Sequence, residues 1–166
     1  MWDDERLLFR FDCDDEDLVL APGADAREKV IGSDRAEIFF ARDLALDPYY
    51  ALEIDPRGEV LAYEGRYYRR MNWDWRFPGL KACAVIATGG YVVEGTIPLS
   101  TLRELGVLRP GETAIVAGVF RAEFSREPGG VRQGWMSWVD PGTEKPDFHV
   151  PEAFGVLELE EAVAAG

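Results

Sequence analysis

The chain has 166 residues, a length that favours a single domain with one sizeable hydrophobic core. Acidic residues outnumber basic ones by 31 to 18, and the formal net charge is −13. Because a surface of this sign repels phosphate groups, we expect neither nucleic acid nor an anionic membrane surface as a partner. No apolar run approaches the roughly 20 residues that span a bilayer. The acidic N-terminus also lacks the form of a signal peptide.

The hydrophobic pattern predicts a series of short strands separated by turns. In chain order, the candidate strands are residues 7–11, 35–40, 49–54, 60–63, 80–87, 91–97, 113–124, 135–139 and 156–159. In the second of these, Ala36, Ile38 and Phe40 would share one face, and Glu37 and Phe39 the other. This alternation favours antiparallel sheets over a parallel α/β core.

A single helix is predicted between the strands, at residues 99–105. Thr101 and Glu104 have the spacing of a capping box, and Gly106 can end the last turn. Residues 21–33, which contain Pro-Gly and Gly-Ser pairs, are predicted to be a loop. The fold class that we expect is therefore all-β, an antiparallel β-sandwich with one short helix. Residues 1–161 would form one domain and 162–166 a frayed tail.

The two cysteines, Cys13 and Cys83, lie in strand-like segments far apart in the sequence. Buried free thiols are the default for such positions, and a disulfide requires that the two strands be neighbours. With a single histidine, His149, the chain cannot complete a zinc site of the usual composition.

The aromatic segment 135–160 contains the first candidate ligand site. A sugar site needs a flat aromatic side chain and a few fixed polar groups, which Phe148 with Asp147 and His149 could supply. The alternative is that Phe148 closes the end of the sandwich as part of the core. Trp135 and Trp138 are three residues apart and should point to opposite faces of a strand, so we expect at most one of them in the core.

Two further sets of residues could take part in binding. Trp73 and Trp75 would share a face if extended, which makes Trp75 a candidate sugar platform; the alternative is that they cap the core. Arg121 could pair with Glu37, and both could bind sugar hydroxyls or form a structural ion pair.

Nothing in the sequence marks a catalytic centre. No serine lies in a Gly-x-Ser-x-Gly motif, no glycine-rich phosphate loop is present, and no carboxylate pair is distinguished among the 31 acids. We therefore expect that the protein is not an enzyme. The acidic run 12–17 offers the oxygen ligands that calcium prefers, although a solvated acidic turn explains it equally simply.

Three segments together resemble the family 9 carbohydrate-binding modules, which have a jelly-roll-like β-sandwich related to DOMON domains. The segments are Asp34–Phe40 (DRAEIFF), residues 73–99 with their tryptophan loop and hairpin, and residues 110–155 with the ending His-x-Pro-Glu-x-Phe-Gly. The resemblance covers nearly the whole chain. Members usually carry a further N-terminal strand, so the chain is expected to be N-terminally short.

The resemblance implies a non-catalytic, extracytoplasmic module that binds carbohydrate, with calcium at Asp14 or Asp15. It also shows departures. In sugar-binding members two tryptophans hold the terminal sugar, and Ile31 and Phe148 stand at those places here, while Glu53 replaces a neighbouring arginine.

The departures leave a second hypothesis open, a DOMON-type module that has lost the sugar site. Such a module would bind a protein partner or another ligand. For haem, the conceivable axial ligands are Met71, Met136 and His149. The oligomeric state is left open by the sequence.

Overall fold

Ten strands and two short α-helices make up the regular structure of residues 1–160, the part of the chain that the computed structural model describes. The strands are β1 (Arg6–Asp14), β2 (Arg35–Ala41), β3 (Tyr49–Ile54), β4 (Val60–Arg66), β5 (Arg70–Asn72), β6 (Lys81–Ala87), β7 (Gly90–Pro98), β8 (Ala114–Glu127), β9 (Gly130–Ser137) and β10 (Gly155–Glu158). The helices are α1 (Ala26–Ile31) and α2 (Leu99–Glu104), and a 3₁₀ turn, Pro151–Ala153, precedes β10. The predicted tail, 162–166, lies outside the described residues.

The strands form two antiparallel sheets, which confirms the predicted all-β sandwich. One sheet has three strands in the order β1-β7-β6. The other has seven, in the order β10-β8-β2-β3-β4-β5, with β9 also paired to β8. Strands β9 and β10 pair with different lengths of β8, residues 120–127 and 114–117. The long strand β8 therefore pairs with both C-terminal strands, β9 at one end and β10 at the other.

The larger sheet is covered on both faces, because its central strands are apolar on both sides. The inner face packs against the smaller sheet, and Ile38 and Phe40 of β2 belong to this core. The outer face is covered by α1 and by the segment that precedes β10, and Phe39 of β2 packs there against Phe148 and Phe154. All seven residues of β2 are buried. The predicted alternation of this strand is confirmed.

Three local features differ from those predicted from the sequence. Residues 26–31 form α1 where a loop was expected, because the Asp25 carboxylate accepts a hydrogen bond from the Glu28 backbone N–H and caps the helix. The predicted capping box at α2 is wrong. Helix α2 begins after Pro98, and the Thr101 hydroxyl instead donates to the Pro78 carbonyl. The short strand β5 was not predicted.

Cys13 and Cys83 are both free, and they lie on opposite faces of the smaller sheet. Cys13 is paired in register with Tyr91 of β7 and is buried, whereas Cys83 is paired with Glu94 and is exposed. The expectation that both thiols are buried is therefore wrong for Cys83. Among the described residues, none of the helices is long and apolar enough to cross a membrane.

Candidate functional site

A cavity of about 410 Å³ opens on the outer face of the seven-stranded sheet. Its floor is polar and comes from adjacent strands: Arg35 and Glu37 from β2, Glu53 from β3 and Tyr63 from β4. Its walls are aromatic and come from the segments that flank the sheet, with Trp73 on one side and Trp135 on the other. The alternating side chains of β2 thus place charged groups on an otherwise apolar face.

Arg35 organises the floor. Its Nε lies 2.9 Å from a carboxylate oxygen of Glu37 and donates to the other carboxylate, Glu53, at 2.7 Å. Its Nη1 donates to the carbonyls of Ile31 and Ser33, at the end of α1. A helix end leaves its last carbonyls without helical partners, so α1 and the arginine fix each other.

Two carboxylates on one guanidinium leave an excess negative charge in a buried place. Burial raises the pKa of Glu37 to about 8, and the negative charge of Glu53 acts in the same direction. Glu53 accepts from Arg35 and from the hydroxyl of Tyr63, which donates to it at 2.8 Å. The floor therefore carries a neutral carboxylic acid, Glu37, beside an ion pair at neutral pH.

His149 completes the polar part of the cavity. Its Nδ1 lies 2.7 Å from the hydroxyl oxygen of Tyr49, which is also 3.3 Å from the sulfur of Met71. Burial lowers the pKa of His149 to about 4, so the ring is neutral. The Tyr49 hydroxyl has one proton: when it goes to Nδ1 the neutral ring carries its own proton on Nε2, and when it goes to the Met71 sulfur the ring proton is on Nδ1.

The two wall tryptophans are held by further aromatic contacts. Trp73 packs against Tyr63, with ring centroids 4.6 Å apart, and the guanidinium of Arg27 lies 3.9 Å from the centre of the Trp73 ring. Trp135 contacts Phe124 and Phe148 edge to face and remains 38% exposed. Each indole is therefore fixed in place while part of it stays accessible.

Phe148 and Asp147, both predicted to contact sugar, lie at this cavity in different roles. Phe148 is only 7% exposed and stacks on Phe120 with ring centroids 4.2 Å apart. Its ring is thus mostly occupied by protein contacts. Asp147 lies at the rim, where Tyr68 donates to it at 2.5 Å and Arg69 at 2.7 Å.

Of the predicted site residues, Glu37, His149 and Phe148 line one cavity, whereas Arg121, Trp138 and Trp75 lie elsewhere. The predicted pairing of Arg121 with Glu37 is wrong, because Phe120 is the β8 residue opposite Glu37 and Arg121 points to the other face. Trp138 and Arg121 line a separate cavity of about 450 Å³.

Trp75 does not share a platform with Trp73. The chain turns at residues 73–74, so the two side chains do not share a face as they would on an extended strand. Trp75 packs into the inner core against Tyr50, with ring centroids 5.1 Å apart.

Arg121 instead belongs to an acidic group at the end of the sandwich. Oxygens of Asp15, Asp34 and Glu123 lie within 4.8 Å of one another, and Asp14 contributes only its carbonyl, which accepts from Arg121. The Arg121 guanidinium contacts both Asp15 and Glu123, and the Asp34 carboxylate accepts two backbone N–H groups at 2.5 Å. As folded, this group does not fit calcium well, since the guanidinium of Arg121 already contacts two of its three carboxyl groups.

The candidate haem ligands do not form a pair. Met71 and His149 both contact Tyr49, on the same side of the cavity. Met136 lies in the other cavity, with Trp138. The described residues thus offer no two of these groups on opposite sides of one space.

Several cavity residues were not singled out from the sequence, namely Arg35, Tyr63 and Arg69. The signal for Arg35 was present, because the alternation of β2 places it on the same face as Glu37. Arg69 could not be found in this way, since its position depends on the fold of the segment 66–73, and the position of Tyr63 depends on the pairing of β4 with β3.

The fold is a β-sandwich with a cavity of aromatic walls and a polar floor on the outer face of its larger sheet. The chain belongs to the carbohydrate family 9 binding domain-like family, whose profile matches residues 1–162. No curated protein matches the sequence significantly.

Solved structures show the same fold at low identity. A Bacteroides uniformis protein, provisionally classed as carbohydrate-binding, has a TM-score of 0.72 and 19% identity, over 94% of this chain and 74% of that one. A family 9 module from Caldicellulosiruptor kristjanssonii in complex with glucose has a TM-score of 0.59 and 19% identity, over 99% and 75% of the two chains. Its complex with cellotriose gives 0.55 and 18%, over 99% and 74%.

Proposed function

We propose that this chain is a non-catalytic carbohydrate-binding module, and that its sugar site is the cavity between Trp73 and Trp135. The observation that carries the proposal is the combination of two partly accessible indoles with a polar floor in one cavity. A pyranose presents C–H groups on its faces and hydroxyls at its edge, so it needs this combination of surfaces. The family and the sugar complexes of its structural neighbours support the same class of ligand.

The aromatic contact differs from the one expected from the sequence. Trp135 is the accessible ring, and Phe148 supports it from behind through their edge-to-face contact. Ile31, 41% exposed, lies at the margin of the cavity, where the resemblance implies a tryptophan. Trp73 and Trp135 thus stack on the sugar in place of the two tryptophans that family members carry at the positions of Ile31 and Phe148.

The polar contacts are assigned to Glu37, His149 and Arg35 on the floor, with Asp147 holding Arg69 at the rim. The resemblance implies an arginine at position 53. Arg35 supplies a guanidinium beside Glu53 and can therefore make the same kind of contact. The change at Glu53 is therefore compensated within the same cavity.

The arrangement of the two carboxylates argues against glycoside hydrolysis. Paired carboxyl groups of glycosidases stand about 5–10 Å apart, on either side of the bond that they cleave. Here oxygens of Glu37 and Glu53 lie 2.9 Å and 2.7 Å from one Nε atom, with no space between the groups for a sugar ring.

Calorimetric titration with neutral and acidic mono- and oligosaccharides tests the proposal. We expect saturable binding that weakens about tenfold or more in Trp135→Ala. Trp138→Ala is the matched control, because Trp138 is similarly exposed but lines the other cavity.

Two results would contradict the proposal. No heat with any sugar from a folded sample would favour a module that binds a protein partner or another ligand. Equal loss of binding in both tryptophan variants would move the site away from this cavity.

A further inference from the structure

The unused hydrogen-bonding atoms of the cavity indicate which class of sugar it binds, an inference that rests on the proposed function. Arg35 donates from Nε to Glu53 and from Nη1 to carbonyls of the α1 end, whereas Nη2 has no hydrogen bond to the described residues. Arg69 uses Nε for Tyr68 and Nη2 for Asp147, which leaves Nη1. Both guanidinium groups line the cavity.

His149 adds a third donor. In the tautomer in which Nδ1 accepts from the Tyr49 hydroxyl, the neutral ring carries its proton on Nε2, which has no hydrogen bond to the described residues. Three nitrogen donors from three different segments of the chain, β2, the β4–β5 connection and the segment before β10, therefore surround one space.

Acceptors are scarce in the same space. Both oxygens of Glu53 are already engaged, by Arg35 and by Tyr63. Glu37 is the remaining carboxyl group, and its Oε1 is buried without a hydrogen bond. Burial and the neighbouring Glu53 raise the pKa of Glu37, so it holds a proton at neutral pH and can act as a further donor.

This imbalance does not suit a neutral sugar well. Each hydroxyl of a neutral pyranose has a proton to donate and needs an acceptor for it. A carboxylate only accepts, and it forms shorter and stronger hydrogen bonds with arginine than a hydroxyl does. We propose that the cavity binds an acidic sugar, a uronic acid or the uronate end of an oligosaccharide, with its carboxylate among Arg35, Arg69 and His149.

The charge near the cavity agrees with this ligand. The chain as a whole has a net charge of −13, but residues 66–76 contain the four arginines Arg66, Arg69, Arg70 and Arg76 and a single acid, Asp74. Arg27 also lies over the wall tryptophan, Trp73. Arg66 and Arg70 are paired with Asp47 and Arg69 with Asp147, so the positive groups left to attract an anion here are Arg27 and the unused nitrogens of Arg35 and Arg69.

The test compares sugars that differ only in the carboxylate. Glucose is compared with glucuronate, and galactose with galacturonate, by calorimetry or by the fluorescence of the wall tryptophans at pH 6.5. We expect the uronate of at least one pair to bind about tenfold more tightly than its neutral partner. Arg69→Gln should remove this preference, whereas Arg103→Gln, an exposed arginine of α2 outside the cavity, should keep it.

A pH series gives a second readout. The groups that face Glu37 are Arg35 on β2, Glu53 on β3, Tyr63 on β4 and His149. As the pH rises above about 8, Glu37 ionises and adds a negative charge beside the ligand, so uronate affinity should fall. In Glu37→Gln the affinity should stay level over the same range.

The possible outcomes separate the two proposals. A neutral sugar that binds as tightly as its uronate, or more tightly, would overturn the acidic ligand and leave the carbohydrate-binding module in place. No binding of either member of any pair, with a folded sample, would overturn both. A uronate preference that survives Arg69→Gln would overturn the assignment of the carboxylate to this cavity.

Discussion

At the scale of single residues, the most constrained group is the set of Arg35, Glu37 and Glu53. All three side chains are at most 6% exposed. Removing one member of a buried ion pair is costly, because the remaining charge keeps its desolvation penalty without its partner. The network therefore makes the floor rigid, and it fixes the position of Arg35 at the end of α1.

The proton on Glu37 has a consequence for stability. Because the pKa of this carboxyl is raised from 4.5 to about 8 in the folded protein, its stabilising contribution is complete below pH 4.5 and is lost as the pH rises to about 8. His149 acts oppositely and at lower pH, since its pKa is lowered from 6.5 to about 4 and its contribution is lost as the pH falls through that range.

Between about pH 6.5 and 8 the two effects are separated. There we expect the native protein to lose free energy of unfolding with rising pH, and Glu37→Gln to be nearly level. Urea unfolding at a series of pH values measures this. Parallel curves for the two proteins would show that Glu37 is already ionised at pH 6.5.

Phe148 gives a second prediction at this scale. Since its ring is stacked on Phe120 and almost fully buried, Phe148→Ala should lower the free energy of unfolding by about 3 kcal/mol. Trp135→Ala, which truncates a half-exposed ring, should cost clearly less. Thermal denaturation of the two variants compares their losses of unfolding free energy. A larger loss in Trp135→Ala would mean that Phe148, and not Trp135, is the more accessible ring.

At the scale of the elements, β4 approaches β3 so closely that a side chain would not fit. A Cβ atom at Gly65 would lie 2.2 Å from the ring of Tyr49, which is fully buried and holds His149. We expect Gly65→Ala to cost about 2 kcal/mol and to weaken sugar binding, because the ring must move. Calorimetry and urea unfolding of the same sample measure both effects.

A suitable control is Gly111→Ala, in an exposed turn. It has a φ of 77° and no atom within 4 Å of the added Cβ, so only backbone strain of about 1 kcal/mol applies. Loss of sugar binding in this variant would show that binding is sensitive to stability in general.

The acidic segment that ends β1 gives a prediction about calcium. Because Arg121 already neutralises Asp15 and Glu123, we expect about 1 mM calcium, a concentration at which many extracellular modules bind it, to leave the Tm of the native protein unchanged. Arg121→Met should be destabilised by about 3 kcal/mol, and calcium should restore part of this. A calcium-dependent Tm of the native protein would show that the ion displaces the arginine.

Local patterns predicted the strands and hairpins well, because β2, β3 and the β6–β7 hairpin are determined by alternation and by turn residues. Helix α1 was missed because the glycines and the proline around it indicate a loop, and a single cap at Asp25 outweighs them. The site was harder. Glu37 and His149 were named from local chemistry, but Arg121 was wrongly paired with Glu37, since the residue opposite Glu37 depends on the register between β8 and β2. Register of this kind is set by contacts between distant segments.

At the scale of the whole molecule, the inner and outer cores share their central strands. Residues of β2 belong to both, so the outer layer with its tryptophans should not unfold separately from the sandwich. We expect the urea transitions followed by tryptophan fluorescence and by far-ultraviolet circular dichroism to coincide. An earlier fluorescence transition would show that the segment before β10 opens on its own.

Because β2 is buried on both of its faces, its sequence can evolve only within limits. Its odd-numbered residues face the outer side of the sheet, where Arg35 and Glu37 line the cavity and Phe39 and Ala41 belong to the outer core, and its even-numbered residues face the sandwich core. Insertion of one residue within the strand would exchange these two sets and destroy both surfaces at once. Substitution at an odd position changes the outer face and leaves the inner-core side chains of the strand in place. The length of β2 is therefore expected to be fixed in relatives, while a change of ligand preference would come from coordinated substitution of the cavity residues Arg35 and Glu37 with Glu53.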